Sequence, residues 1–250
     1  MGGARALRGA PRPHRSPGRR RVSAEPGATS GGRAPRYPVV LFDFDGTLGD
    51  TIELIVASTR HALSTVVGIE VDDRAARAWI GRPLREVLEE QHPERAEEIL
   101  AAYLEWNLAH HDELIREVPG VPELLDALHA AGVRTGVVSS KRIETVRLGL
   151  DVLGLSERLP DVVGQEDTTV HKPGPDPLLL AASRMGVDPS ACVYVGDAVV
   201  DVAAARAAGM AAVAVTWGAG TPEDLRTAGA TELVGDAPAL ARVLGVDLPT

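Results

Sequence analysis

At 250 residues and 44% apolar, the chain is long enough to bury a substantial core, and one domain with an insertion accounts for its length. A single cysteine, Cys192, excludes an internal disulfide framework and fits a reducing, cytoplasmic setting. The net charge of −9 disfavours nucleic acid as the main partner, and no apolar run is long enough to span a membrane.

Charge is unevenly divided. Residues 1–36 hold nine arginines and one glutamate, a net of +8, which leaves −17 for the rest of a chain whose total is −9. This Arg-, Pro- and Gly-rich stretch has too few large apolar residues to build a core, so a disordered tail is expected. It has no secretory h-region, and its Pro and Gly content spoils the amphipathic helix of a transit segment. It reads as an upstream extension or a misassigned start, and its arginines would also suit weak contact with anions.

Residues 38–43 read as a strand, and its apolar run, Val39 to Phe42, is the right length for a buried parallel one. The run delivers Asp43 and Asp45, then the Gly46-Thr47 turn. Ligands of open α/β sheets bind beyond the carboxyl ends of strands, so two acids here point to chemistry, although Asp and Gly also serve turns on their own account.

Residues 52–118 show helical periodicity and no convincing strand. Ile52–Val66, Asp73–Ile80, Leu84–Glu90 and Glu94–Ile115 are predicted helices. Trp79 and Trp106 read as core of this set. Gly81-Arg82-Pro83 breaks it, and Arg82 has two readings: a solvated turn residue, or a guanidinium reaching a phosphate or carboxylate in a cleft.

A helix over Pro122–Ala131, closed by Gly132, leads to a strand over 133–138 that ends at Ser139-Ser140-Lys141. A hydroxyl at that place, with helix N–H groups behind it, is a phosphate donor or simply an N-cap. A short strand over 161–163 follows. In His171-Lys172-Pro173-Gly174-Pro175-Asp176-Pro177, three prolines stiffen the backbone around Lys172, and Asp176 is expected to cap a helix over Pro177–Met185. Only two of the 26 basic residues are lysines, Lys141 and Lys172, so neither reads as a generic surface choice. Strand 192–196 then ends in Gly196-Asp197, with Asp201 one helical turn beyond. Two carboxylates so placed suit Mg²⁺, though acids also favour helix N-termini. The last predicted strand is 212–216. Alternation of strands and helices argues for a parallel sheet with right-handed crossovers.

The Asp43-x-Asp45-Gly46-Thr47 motif, Ser139, Lys172 and Gly196-Asp197-x-x-x-Asp201 occur in this order, each at a strand end. Together they resemble the four motifs of the haloacid dehalogenase-like (HAD) hydrolases, most of which are phosphatases. The resemblance spans about residues 37–245 and is closest to the phosphoglycolate-phosphatase-like branch. Val213 to Gly218 and Gly229 to Pro238 also look like that branch. Departures are Gly49 for a larger apolar residue, Thr51 where Ser is frequent, and His171 where Gly is frequent before Lys172.

The resemblance implies an α/β fold, a Rossmann-like parallel sheet core (37–51 and 119–250) with an inserted all-helical cap (52–118). The implied activity is a Mg²⁺-dependent phosphatase acting on a small phosphorylated metabolite, with 2-phosphoglycolate as the specific guess. Asp43 would be the nucleophile, Asp45 the general acid/base, and Lys172 the neutralising cation. Gly46, Thr47, Ser139, Ser140 and Arg82 would hold substrate. Mg²⁺ would sit on Asp43, the Asp45 carbonyl and Asp197, with Asp201 orienting Lys172 or a bound water. A phosphosugar mutase and a pyrophosphatase use the same motifs. A dehalogenase is disfavoured by Asp45, and a Schiff-base phosphonatase by the lack of lysine in 52–118. A non-catalytic interaction protein on the same scaffold is the reading from a different class. Oligomeric state is not legible.

Overall fold

The computed structural model describes residues 1–3 and 35–249; the expectation of disorder over 1–36 falls almost wholly outside them. The strands are β1 (Val39–Phe42), β2 (Gly49–Asp50), β3 (Arg116–Glu117), β4 (Arg134–Val138), β5 (Val162–Val163), β6 (Cys192–Gly196), β7 (Ala211–Val215) and β8 (Glu232–Val234). The helices are α1 (Ile52–Val67), α2 (Asp73–Arg77), α3 (Leu84–Gln91), α4 (Ala96–Leu114), α5 (Val121–Ala130), α6 (Ile143–Val152), α7 (Asp176–Arg184), α8 (Val199–Ala207), α9 (Pro222–Ala228) and α10 (Ala237–Leu244).

Six strands form one parallel sheet in the order β5-β4-β1-β6-β7-β8. Alternate residues of β1 face opposite sides, as a period of two requires. Val40 and Phe42 pack in the cluster that contains α5, α6 and α10 side chains, including Leu124, Leu150 and Leu240. Val39 and Leu41 pack in the other, with Leu178 of α7, Val202 of α8 and Leu225 of α9. Burial on both faces explains why these strands read as unbroken apolar runs. It also anchors the strand ends: each fully buried Val, Leu or Phe contributes roughly 1.5–3 kcal/mol.

The chain runs from β1 to β4 on one side and later returns to β6 on the other. β1 is therefore the switch point, where a crevice opens beyond the strand ends. The insertion between β2 and β3 is helical: α1 packs along α4, with Leu63, Leu88, Ile99 and Tyr103 in its own small core. The two strands that flank it pair antiparallel, Gly49 with Glu117 and Asp50 with Arg116. Among the described residues no helix is long and apolar enough to cross a membrane.

The structure departs from the sequence reading at several points. α2 ends at Arg77 rather than Ile80, and turns with i→i+3 hydrogen bonds carry the chain on to Gly81, where a φ of +92° redirects it. α7 begins at Asp176, not Pro177; Pro175 is already helical and no side chain caps the end, so Asp176 is the first residue of the helix and not its cap. Strands β2, β3 and β8 were not expected from the sequence; β3 lies at the end of the stretch 52–118 read as free of strands, and at two residues it is too short to give an alternating pattern.

Candidate active site

Four strand-end segments meet at the crevice. Asp43 follows β1 directly, and its N–H bonds Val195 O of β6 at 2.8 Å, which fixes where the acid leaves the sheet. Ser139 follows β4, with its N–H on Val163 O at 3.0 Å. Asp197 follows β6, and Lys172 comes from the loop between β5 and α7.

Lys172 is the centre of the charge arrangement. Its buried ammonium lies 2.7 Å from Asp201 Oδ1, 3.1 Å from the Tyr194 hydroxyl and 3.1 Å from Asp43 Oδ1. Burial alone would lower its pKa, but the charges of Asp201 and Asp43 hold it above the usual lysine value. Burial dominates at Asp43 and pushes its carboxyl up to about 7 against the pull of Lys172, with Asp201 and Asp45 adding to the rise. Asp197 is also held well above the usual carboxylate range, by burial first and then by the charges of Asp201 and Asp43.

Asp197 is fixed on several sides. Its Oδ2 accepts the Ala219 N–H at 2.6 Å, and its Oδ1 accepts the Thr47 hydroxyl at 3.4 Å. Glycines make that approach possible. A Cβ on Gly46 (φ +70°) or on Gly218 would overlap the Asp197 carboxylate. Asp201 is held through Oδ2 by the Ala198 N–H at 2.9 Å.

Asp45 faces elsewhere. Its Oδ1 accepts from Thr51 Oγ1 at 2.6 Å and from Lys141 Nζ at 2.6 Å. Asp43, Asp45, Ser139 and Lys141 form the floor of a cleft of about 480 Å³ whose other wall comes from the helical insertion.

Oxygens of Asp43, Asp197 and Asp201 lie within 4.8 Å of one another. One ammonium cannot neutralise three buried carboxylates. This all-oxygen, over-acidic donor set fits a hard divalent cation such as Mg²⁺. The Asp45 carboxylate is not part of it.

The family model described as haloacid dehalogenase-like hydrolase matches residues 40–215, which include Asp43, Asp45, Ser139, Lys141, Lys172, Asp197 and Asp201. The chain belongs to that family. It is 39% identical over 182 residues to a protein of Bacillus velezensis named pyrophosphatase PpaX, covering 73% of this chain and 84% of the relative. It is 33% identical over 207 residues to the protein of that name from Halalkalibacterium halodurans, covering 83% and 96%. Among solved structures it resembles a hydrolase from Pseudomonas syringae (TM-score 0.76, 27% identity, 82% of this chain and 97% of that one). It also resembles a predicted phosphatase from Clostridium acetobutylicum (TM-score 0.75, 26% identity, 83% and 97%).

Within this HAD hydrolase the sequence-predicted residues divide. Asp43, Lys172, Asp197 and Asp201 converge, and Asp45 and Ser139 border them. Thr47 turns its hydroxyl onto Asp197 rather than into the cleft. Ser140 Oγ donates to Gly81 O at 2.7 Å, so it ties the core to the insertion. Arg82 lines the cleft, but both its terminal nitrogens are held by Glu90, at 3.0 and 2.6 Å. Trp79 lines the cleft as well as packing on the insertion's core, whereas Trp106 stacks on His110 and His61. The sequence reading missed Tyr194, Thr51 as a partner of Asp45, and the Trp217–Ala219 segment that cradles Asp197.

Proposed function

We propose that the chain is a Mg²⁺-dependent phosphatase that hydrolyses a small phosphorylated metabolite through an aspartyl-phosphate on Asp43. The observation that carries this reading is the buried Asp43–Lys172–Asp201 array beside Asp197, three carboxylates around one ammonium. An Asp43 oxygen attacks phosphorus, the bond to the leaving oxygen breaks, and Asp45 gives that oxygen a proton. Water then attacks the phosphorus of the aspartyl-phosphate and passes its proton to Asp45. Phosphate and the Asp43 carboxylate are released. Lys172 offsets the repulsion between carboxylate and phosphate, and Asp201 and Tyr194 position Lys172. When bound at Asp43 and Asp197, and at the Asp45 carbonyl as the family resemblance implies, Mg²⁺ supplies further neutralisation of phosphate charge. Asp45 must exchange its Thr51 and Lys141 contacts to reach a leaving oxygen.

In this reading residues 37–51 and 119–250 are the catalytic core, and 52–118 are a cap hinged near Asp50–Glu53 and Val118–Pro119. Cap closure excludes water and presents the leaving group. Nucleic acid and membrane have no part in it, and the setting is cytoplasmic. 2-Phosphoglycolate is the substrate suggested by the sequence resemblance. The name borne by the Bacillus velezensis and Halalkalibacterium halodurans relatives favours pyrophosphate as a second reading.

The test is phosphate release by the full chain from a panel of phosphomonoesters and pyrophosphate, with Mg²⁺ and with EDTA. Release that depends on Mg²⁺ and is lost in Asp43→Asn is expected. Release insensitive to EDTA, or retained in Asp43→Asn, overturns the mechanism.

A further inference from the structure

The cleft's chemistry is lopsided. Its floor is charged, whereas Trp79, Ile80, Leu84, Leu100, Tyr103 and Leu104 line it from the insertion side. Trp79, Leu84 and Leu100 are only partly buried by the insertion's core, and Leu104 keeps 45% of its surface. Apolar surface left open beside a polar site marks recognition rather than packing. Burial and the nearby Asp45 charge keep the Tyr103 hydroxyl protonated, a donor among these apolar side chains, with Thr59 and Asn107 as the other uncharged polar groups of the wall.

The cations of the cleft are already engaged. Arg82 pairs with Glu90, Arg85 with Glu97, Lys141 with Asp45, and His171 approaches Glu86. Among the described residues lining the cleft, Arg142 alone is a cation without an acid partner, and Glu166 also lines it. Lys141, released when Asp45 turns to the leaving oxygen, belongs to the floor; beyond it a distal phosphate or carboxylate would meet Arg142 as the one unpaired cation among the described lining residues. The volume of about 480 Å³ lies in the range of sites for ligands of drug size, well beyond a two-carbon acid.

Resting on the phosphatase reading above, we propose that this cleft selects phosphomonoesters of alcohols that carry a ring, packed on the apolar wall with the phosphoryl group on the charged floor. Pyrophosphate and 2-phosphoglycolate are then poor substrates, because each offers a second anion to a wall that is apolar or already neutralised.

Benzyl phosphate against ethyl phosphate is the direct test, since both release a primary alcohol and differ in a phenyl ring in place of a methyl group. With Mg²⁺ and the full chain, kcat/KM for benzyl phosphate is expected to exceed those for ethyl phosphate, 2-phosphoglycolate and pyrophosphate by about tenfold or more. Leu84→Asp and Leu104→Asp are each expected to pull the benzyl-to-ethyl ratio toward one. Parity in the wild type, preference for a small or doubly anionic substrate, or an unchanged ratio in both variants overturns the proposal. Calorimetric binding of benzylphosphonate against methylphosphonate, to the Mg²⁺-loaded protein, reads the preference without turnover. A benzyl preference in binding with no hydrolysis of any substrate would remove the phosphatase reading and leave the ring preference standing. Equal binding would remove the ring preference.

Discussion

Replacing Lys172 by methionine keeps the side chain's length and removes its charge from between Asp43 and Asp201. In the wild type its ammonium is 2.7 Å from one carboxylate and 3.1 Å from the other, with about 1% of the side chain exposed. Removing one partner of a buried ion pair costs about 3–5 kcal/mol, because the remaining charge has neither water nor counter-ion. For a chain of this size that corresponds to a fall in Tm of roughly 10 °C, measured without metal at pH 8. The pH dependence gives the reasoning its sharper test. A carboxyl with a folded pKa above its unfolded value stabilises the fold by taking up a proton. That contribution is fully present below the unfolded value near 3.8 and is lost as pH rises through the folded value, about 7 for Asp43. Removing Lys172 raises the folded value further, so the deficit of Lys172→Met should be largest at pH 8 and should shrink toward pH 5. Urea unfolding at both pH values, in EDTA, measures it. A deficit under 1 kcal/mol at pH 8, or one that does not shrink on acidification, would refute this account of Lys172.

Asp43→Asn should abolish turnover with an unaltered circular dichroism spectrum and Tm no lower than wild type, because an uncharged amide removes a buried charge. Gly218→Ala places a Cβ against the Asp197 carboxylate, and it should weaken Mg²⁺ binding by tenfold or more, on the order of 1.4 kcal/mol, as read by calorimetry; wild-type affinity would show that the loop yields freely. Tyr194→Phe removes a hydroxyl that donates to Val138 O at 2.7 Å and accepts from Lys172, and should cost about 1–3 kcal/mol in urea unfolding. Mg²⁺ competes with protons for the same buried carboxylates, so it should raise Tm more at pH 8 than at pH 5; an equal shift would place the ion elsewhere.

The strand-end acids were legible because both faces of β1 and β6 are buried. A run such as Val39 to Phe42 has one physical reading, and the acid that ends it stands out. Lys172 was legible through its rarity and the prolines around it. Tyr194 was hidden inside an apolar strand, where an aromatic residue reads as core; its hydroxyl matters only because β6 lies beside the Lys172 loop. Gly218 and Ala219 act through a missing Cβ and a backbone N–H, neither of which has a side-chain signature. Strand β8 is three residues long and begins with a glutamate, too short for a periodic signal. Arg82 looked free because its partner Glu90 lies eight positions away, a pairing that depends on how α3 leaves the turn.

Lysine scarcity has a practical consequence for anyone handling this protein. The two lysine side chains are 16% and 1% exposed, and both belong to the candidate site. Amine-reactive dyes, crosslinkers and surface immobilisation chemistry therefore have almost nothing to react with but the chain's amino terminus and, slowly, Lys141. Random amine coupling becomes close to site-specific attachment through the terminus. The labelling rate of Lys141 becomes an optical gauge of whether the cleft is open or filled.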